Sequence, residues 1–149
     1  KMMLVLSFQI GHEPVGLDIR LVREVVPRVK LRPLSGGAEW LAGVFVYRGR
    51  VIPVVDLHRL AGHGECPTHL SSRIILVPHG DGLLGLLATQ VADLREVPDD
   101  APALPSPATG TADLGRVIAD GLGVLRLLEP ERLLPPTARA LVAAAGAAR

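Results

Sequence analysis

The chain has 149 residues, with 16 basic and 15 acidic side chains and a formal net charge of +1. That balance excludes the basic footprint of a nucleic-acid binder and the acidic excess of a disordered tail. Only 3% of residues are aromatic against 48% hydrophobic, so the core must be aliphatic and no ring platform exists for stacking on bases or sugars.

The β pattern starts at once. Leu4, Leu6, Phe8 and Ile10 alternate with Val5, Ser7 and Gln9, then Gly11-His12-Glu13-Pro14 gives way to Val15, Leu17 and Ile19. This predicts a hairpin with a short loop. Asp18 can cap a brief helix through Val22, Arg23 and Glu24, which Pro27 ends. Leu31 to Glu39, with Pro33 and Gly36-Gly37, reads as a loop.

Residues 40–47 and 50–55 predict a second hairpin turning at Arg48-Gly49, where Gly49 supplies positive φ. Pro53 puts the return strand at an edge or a bulge. Asp56 caps a one-turn helix over Leu57 to Leu60, and the stretch from Ala61 to Ser72 is an exposed loop. A third hairpin joins Arg73–Val77 to Leu83–Ala88 through Gly80-Asp81-Gly82, and Val91 to Val97 continues as strand or short helix. Residues 98–113 carry Pro98, Pro102, Pro105 and Pro107 and read as a loop. Arg116–Ala119 and Leu122–Leu128 form a last hairpin around Asp120-Gly121. Pro130 opens a short helix through Leu134, and a C-terminal helix capped by Thr137 runs to Ala148. Four hairpins at short spacing, with few short helices, predict an all-β barrel or pair of barrels. At this length one domain over residues 1–149 is expected.

The apolar run Leu41 to Tyr47 stops at Arg48, far short of the ~20 residues of a spanning helix. Lys1-Met2-Met3 opens directly into strand pattern, without a signal-peptide layout. Cys66 is the one cysteine and has no internal disulfide partner. The expectation is a soluble protein of a reducing compartment.

Catalytic motifs are absent from the sequence. Ser7, Ser35, Ser71, Ser72 and Ser106 lack a Gly-x-Ser-x-Gly elbow, and Asp99-Asp100 sit in a Pro-rich loop where burial is not expected. Gly80-Asp81-Gly82 and Gly121-Leu122-Gly123 lack the Lys-Ser/Thr of a phosphate loop. Trp40 reads as core or barrel closure. His63-x-x-Cys66-x-x-His69, with His58 before it, offers imidazole and thiolate donors for zinc, but without the second Cys of the usual pairwise spacing.

Two stretches carry a resemblance. Val15-Gly16-Leu17-Asp18-Ile19 with Val22-Arg23-Glu24-Val25-Val26, and Trp40 to Val44 with Arg48-Gly49-Arg50-Val51-Ile52-Pro53-Val54-Val55-Asp56-Leu57, resemble the signature of CheW-like domains. Arg73 to Val77, Gly85 to Val97 and Glu131-Arg132-Leu133-Leu134 fit as well. The resemblance implies two small five-stranded SH3-like barrels sharing one core, with a C-terminal helix. It implies a non-catalytic adaptor without cofactor that binds the regulatory domain of a chemotaxis-type histidine kinase and the cytoplasmic tip of chemoreceptors. Such an adaptor is cytoplasmic, recruited to membrane-associated arrays, with no membrane insertion of its own, and self-association through barrel contacts is a further expectation. By the same resemblance Val22 and Glu24 lie near the partner-binding surface. Arg48 is the characteristic arginine of the Arg-Gly turn with Gly49, and Gly43 and Val44 form the small-residue strand leading to it. Glu24 is the expected acidic partner of Arg48. Val46, Tyr47 and Arg126 depart from the family pattern, as does Gly121-Leu122-Gly123. Two other readings stand beside it: the same domain cut from a larger kinase or adaptor, and a small metal-binding β-barrel using His63, Cys66 and His69.

Overall fold

A computed structural model describes residues 1–105, 113–119 and 121–147. The four expected hairpins form. They are β1 (Met2–Ile10) with β2 (Glu13–Asp18), β4 (Leu41–Tyr47) with β5 (Arg50–Asp56), β6 (Arg73–His79) with β7 (Gly82–Pro98), and β9 (Arg116–Ala119) with β10 (Val124–Leu127). Two short strands join them, β3 (Glu24–Pro27) beside β6 and β8 (Ala103–Leu104) beside β9.

The organising element is β7. Its first half, through Ala88, pairs with β6 and runs parallel to β5; its second half pairs with β1. The switch occurs where the β1–β7 register slips between Ser7 and Gln9, and Gln90 there takes φ +55. A bulge of this kind bends a strand and re-aims it, so one strand serves two sheets. The expected break after Ala88 is therefore a bulge inside a single 17-residue strand.

One barrel contains β7, β1, β2, β10, β9 and the two-residue β8; the other contains β3, β6, β7, β5 and β4. The second closes where Arg32 and Val44 exchange backbone hydrogen bonds of 2.8 and 2.9 Å. The architecture is mainly β and consists of two SH3-like barrels. The first has one strand more than the expected five, because part of the Pro-rich 98–113 segment pairs with β9.

Three apolar clusters explain the near-continuous hydrophobic runs. Val5, Val97, Ile118, Leu125 and Leu127 fill the first barrel. Val26, Ile52, Val54, Ile74, Leu76 and Leu87 fill the second. Between the barrels lies a larger shared cluster that includes Phe8, Leu17, Val55, Ile75, Leu86 and Leu133. Neighbouring residues thus point opposite ways into two cores: Val54 inward and Val55 outward, Ile74 inward and Ile75 outward. Strands buried on both faces lose the apolar/polar alternation.

The helices are α1 (Leu57–Leu60), capped by Asp56 as expected, and α2 (Pro136–Gly146), which packs on β5 and β4. The α2 cap is Pro135 rather than Thr137, so the helix starts earlier than the sequence suggested and has no side-chain cap bond. Pro130 opens only a 3-10 turn, Pro130–Arg132. A second correction concerns Glu24. Asp18 caps a 3-10 turn over Ile19–Leu21, but Val22 is already extended, and Arg23 N–H donates to Leu76 C=O at 2.7 Å. Pairing with β6 pulls residues 24–27 into a strand, which suits β-branched Val25 and Val26. Pro53 lies one residue before the ladder to β7 begins, where β5 pairs with β4 alone. Its missing donor therefore falls in the singly paired part of the strand. Ser106, Pro107 and Asp120 lie outside the described residues.

Candidate functional site

The β4–β5 turn and the edge strand β3 meet at one corner of the second barrel. Arg48 and Gly49 occupy the turn with φ +49 and +76, the two positive angles of a type I′ hairpin. Gly49 pays nothing for this, but Arg48 is in the left-handed region, at a cost of about 1 kcal/mol for a residue with a Cβ. Its guanidinium lies 5.1 Å from the Tyr47 ring centroid and donates from Nη2 to Glu24 Oε1 at 3.3 Å. Tyr47 donates its phenol to the same carboxylate oxygen at 2.5 Å. The Tyr47 ring also packs on the core of the second barrel and sits edge-on to Phe45 at 6.5 Å. Its phenol pKa is raised, first because neutral Tyr47 donates to Glu24 and then through burial.

This corner adds little to stability. The Arg48 side chain is 76% exposed and that of Glu24 37%, and an ion pair in such solvent is worth about 0–1 kcal/mol. That gain does not exceed the cost of the strained turn. What the arrangement does is orient: an apolar-anchored phenol holds the carboxylate, which accepts one N–H from an Arg48 guanidinium lying over the Tyr47 ring. Val46, next to it, is 69% exposed. Tyr and Arg, adjacent here as Tyr47 and Arg48, are residue types enriched at protein-contact hot spots.

The other residues expected at the site lie deeper. Val22 is half-buried against the shared core. Gly43 and Val44 are both buried. Gly43 has φ +145, and a Cβ there would lie 2.5 Å from the Arg32 carbonyl oxygen. These two residues shape the corner by closing the barrel at Arg32; they do not present side chains to solvent. Tyr47 and Val46 are the contributors that residue-type reasoning missed. Their only signal was departure from the family pattern.

The histidine–cysteine loop is arranged differently from its spacing. Asp56, His58 and Cys66, all buried, bring their donor atoms within 4.8 Å of one another; among the described residues His63 and His69 do not join them. Asp56 Oδ1 accepts from the backbone N–H of His58 and Arg59, and Oδ2 accepts from Cys66 N–H at 2.9 Å. His58 Nε2 accepts from Gly11 N–H at 3.0 Å, so the neutral ring carries its proton on Nδ1, the nitrogen turned away from that bond. A metal on Nδ1 would need the proton on Nε2, facing the Gly11 N–H. Burial pushes the Cys66 thiol up to about 12, helped by Asp56. Asp56 and His58 Nε2 are engaged in holding the hairpin, α1 and the 61–72 loop together, while His58 Nδ1 is buried without a hydrogen-bond partner. A protonated Nδ1 and a thiol held protonated do not suit a metal ion in this arrangement.

The paired SH3-like barrels define the class of fold. The comparisons with known proteins give it a family: the chain belongs to the CheW-like domain family, whose model matches residues 4–137. It is 33% identical over 141 residues to Protein FrzA of Myxococcus xanthus, covering 91% of this chain and 88% of that one. It is 25% identical over 136 residues to the chemotaxis protein CheW of Treponema pallidum, covering 87% and 80%. The crystal structure of scaffolding protein TtCheW from Thermoanaerobacter tengcongensis superposes with a TM-score of 0.82 at 26% identity, covering 93% of this chain and 91% of that one. The protein is thus a non-catalytic scaffold or adaptor of chemotaxis-type signalling. No described helix is long and apolar enough to cross a membrane.

Proposed function

We propose that this chain couples chemoreceptors to a chemotaxis-type histidine kinase, acting in the cytoplasm at receptor arrays and working as one unit over residues 1–149. Glu24, Arg48 and Gly49 form the polar centre of the partner surface, with Tyr47 and Val46 beside them. Val22 supports it from the adjoining turn, while Gly43 and Val44 set its shape from below. The observation that carries the reading is Arg48 itself. It occupies a left-handed turn position better suited to Asn or Gly, yet its exposed ion pair returns little stability. A strained residue with little structural return is best accounted for by a contact outside the chain.

Reconstitution tests this. A receptor cytoplasmic fragment, the kinase and this chain are combined, and kinase autophosphorylation is followed. Receptor control of the kinase should require the chain and should fail with Arg48→Asn at an unchanged melting temperature. Equal receptor control without the chain, or with Arg48→Asn, would contradict the proposal.

A further inference from the structure

At one end of the second barrel the chain leaves β3, passes through Arg28 to Leu31, and returns to pair at Arg32 with Val44. Between this crossing, the start of β4 and the 61–72 loop lies an open cavity of about 460 Å³. Barrel mouths are a recurring place for small-molecule sites, and such sites span roughly 300–1,000 Å³. Leu31, Leu41, Ala42 and Leu87 supply its apolar wall, and Leu87 belongs to the core of the barrel itself.

The charges on its lining are not equally available. Arg59 already engages both exposed acids, Glu39 at 2.6 Å and Glu65 at 3.7 Å. Asp56, in the floor, is satisfied by the three backbone N–H groups of His58, Arg59 and Cys66. The cations opposite are not spent in the same way. Among the described residues Arg28 donates only from Nη1, to the uncharged carbonyls of Cys66 and Pro67 at 3.2 and 3.0 Å. Lys30 is exposed and has no ion pair among the described residues. Three of the six charged side chains on the lining are acidic and three basic, so its formal charge is zero. The acids group around Arg59 and the α1 backbone, and the two cations without an acidic partner among the described residues, Arg28 and Lys30, stand beside the apolar wall.

We propose that the mouth of the second barrel binds a small amphiphilic carboxylate, with its acyl or aryl body against Leu31, Leu41, Ala42 and Leu87 and its carboxylate on Arg28 and Lys30. The Arg28 guanidinium offers the free edge of its fork, and Lys30 offers a mobile point charge. The site is separate from the Glu24–Tyr47–Arg48 corner and does not depend on the partner proposal.

Amide NMR of the full chain, titrated with hexanoate, acetate and hexylammonium, tests it. Hexanoate should give saturable shifts confined to residues 28–31, 39–42 and 59–65. Acetate lacks the body and hexylammonium lacks the anion, so neither should saturate. Lys30 is exposed and away from the core, so Lys30→Gln should fold normally and weaken hexanoate about fivefold, the upper value for one exposed charge. Lys30→Glu should abolish binding. Absence of saturable hexanoate shifts, equal binding of hexylammonium, or unchanged affinity in Lys30→Gln would each overturn the proposal.

Discussion

The phenol of Tyr47 donates to Glu24 Oε1 at 2.5 Å, across the closure between the β4–β5 hairpin and β3. Tyr47 is the only tyrosine in the chain, so its titration can be read directly. Its pKa is raised in the fold, chiefly by the bond to Glu24. The bond's contribution is thus fully present below the unfolded tyrosine value and is lost as pH rises through the higher folded value. Absorbance at 295 nm against pH should show an apparent pKa above about 10, falling back toward that reference in Glu24→Ala. Identical titrations in the two proteins would break the link between these residues.

Gly43 and Gly49 both carry positive φ, but their surroundings differ. A Cβ at Gly43 would meet the Arg32 carbonyl oxygen at 2.5 Å, whereas a Cβ at Gly49 meets nothing within 4 Å. Gly43→Ala must separate the strands that close the second barrel and should cost about 3 kcal/mol or more. Gly49→Ala pays only the left-handed backbone cost, about 1 kcal/mol. Urea midpoints of the two variants measure the difference, and equal losses would mean that the Arg32–Val44 closure does not carry the barrel.

Burial lowers the pKa of His58, against the opposing pull of Asp56, and burial likewise lowers that of His79. Both folded values lie below the unfolded one, so the unfolded chain takes up protons first as pH falls. Stability is then full above the unfolded histidine value of about 6.5 and declines as pH drops below it, levelling off at the folded values. Protonated His58 would also lose the Gly11 N–H bond to Nε2. Urea midpoints at pH 7.5 and 5.0 should show this fall, and His58→Gln should be less stable at pH 7.5 but show a smaller fall. An unchanged slope in His58→Gln would show that His58 is not the group being charged.

The hairpins were legible because their signals are local. Gly11 to Pro14, Arg48-Gly49 and Gly80-Asp81-Gly82 each mark a turn between apolar runs. Elements whose pairing is set from a distance were not. Glu24–Pro27 becomes a strand because β6, about fifty residues on, offers Leu76 to Glu24. β7 continues through Gln90 because a non-glycine residue accepts φ +55 there, which no local residue announces. At the candidate site, the pairing of Arg48 with Glu24 was legible only through family resemblance, and Tyr47 was marked only as a departure from the family pattern, with no sign of its bond to Glu24. The His63-x-x-Cys66-x-x-His69 spacing, kept only as an alternative reading, does not describe the cluster that forms, because Asp56 draws the Cys66 backbone in beside His58 and the other two histidines do not join them.

The central claim is that Arg48 is held in place for a partner. The most direct measurement is calorimetric titration of the chemotaxis-type kinase regulatory domain from the same organism into this chain and into Arg48→Asn. Asn tolerates the left-handed turn and gives up an ion pair worth at most about 1 kcal/mol, so the variant's urea midpoint should barely move. The account predicts saturable binding by the native chain and at least a tenfold loss in Arg48→Asn, the scale of one interface hot spot. No binding by the native chain, or equal affinity in the variant, would contradict it.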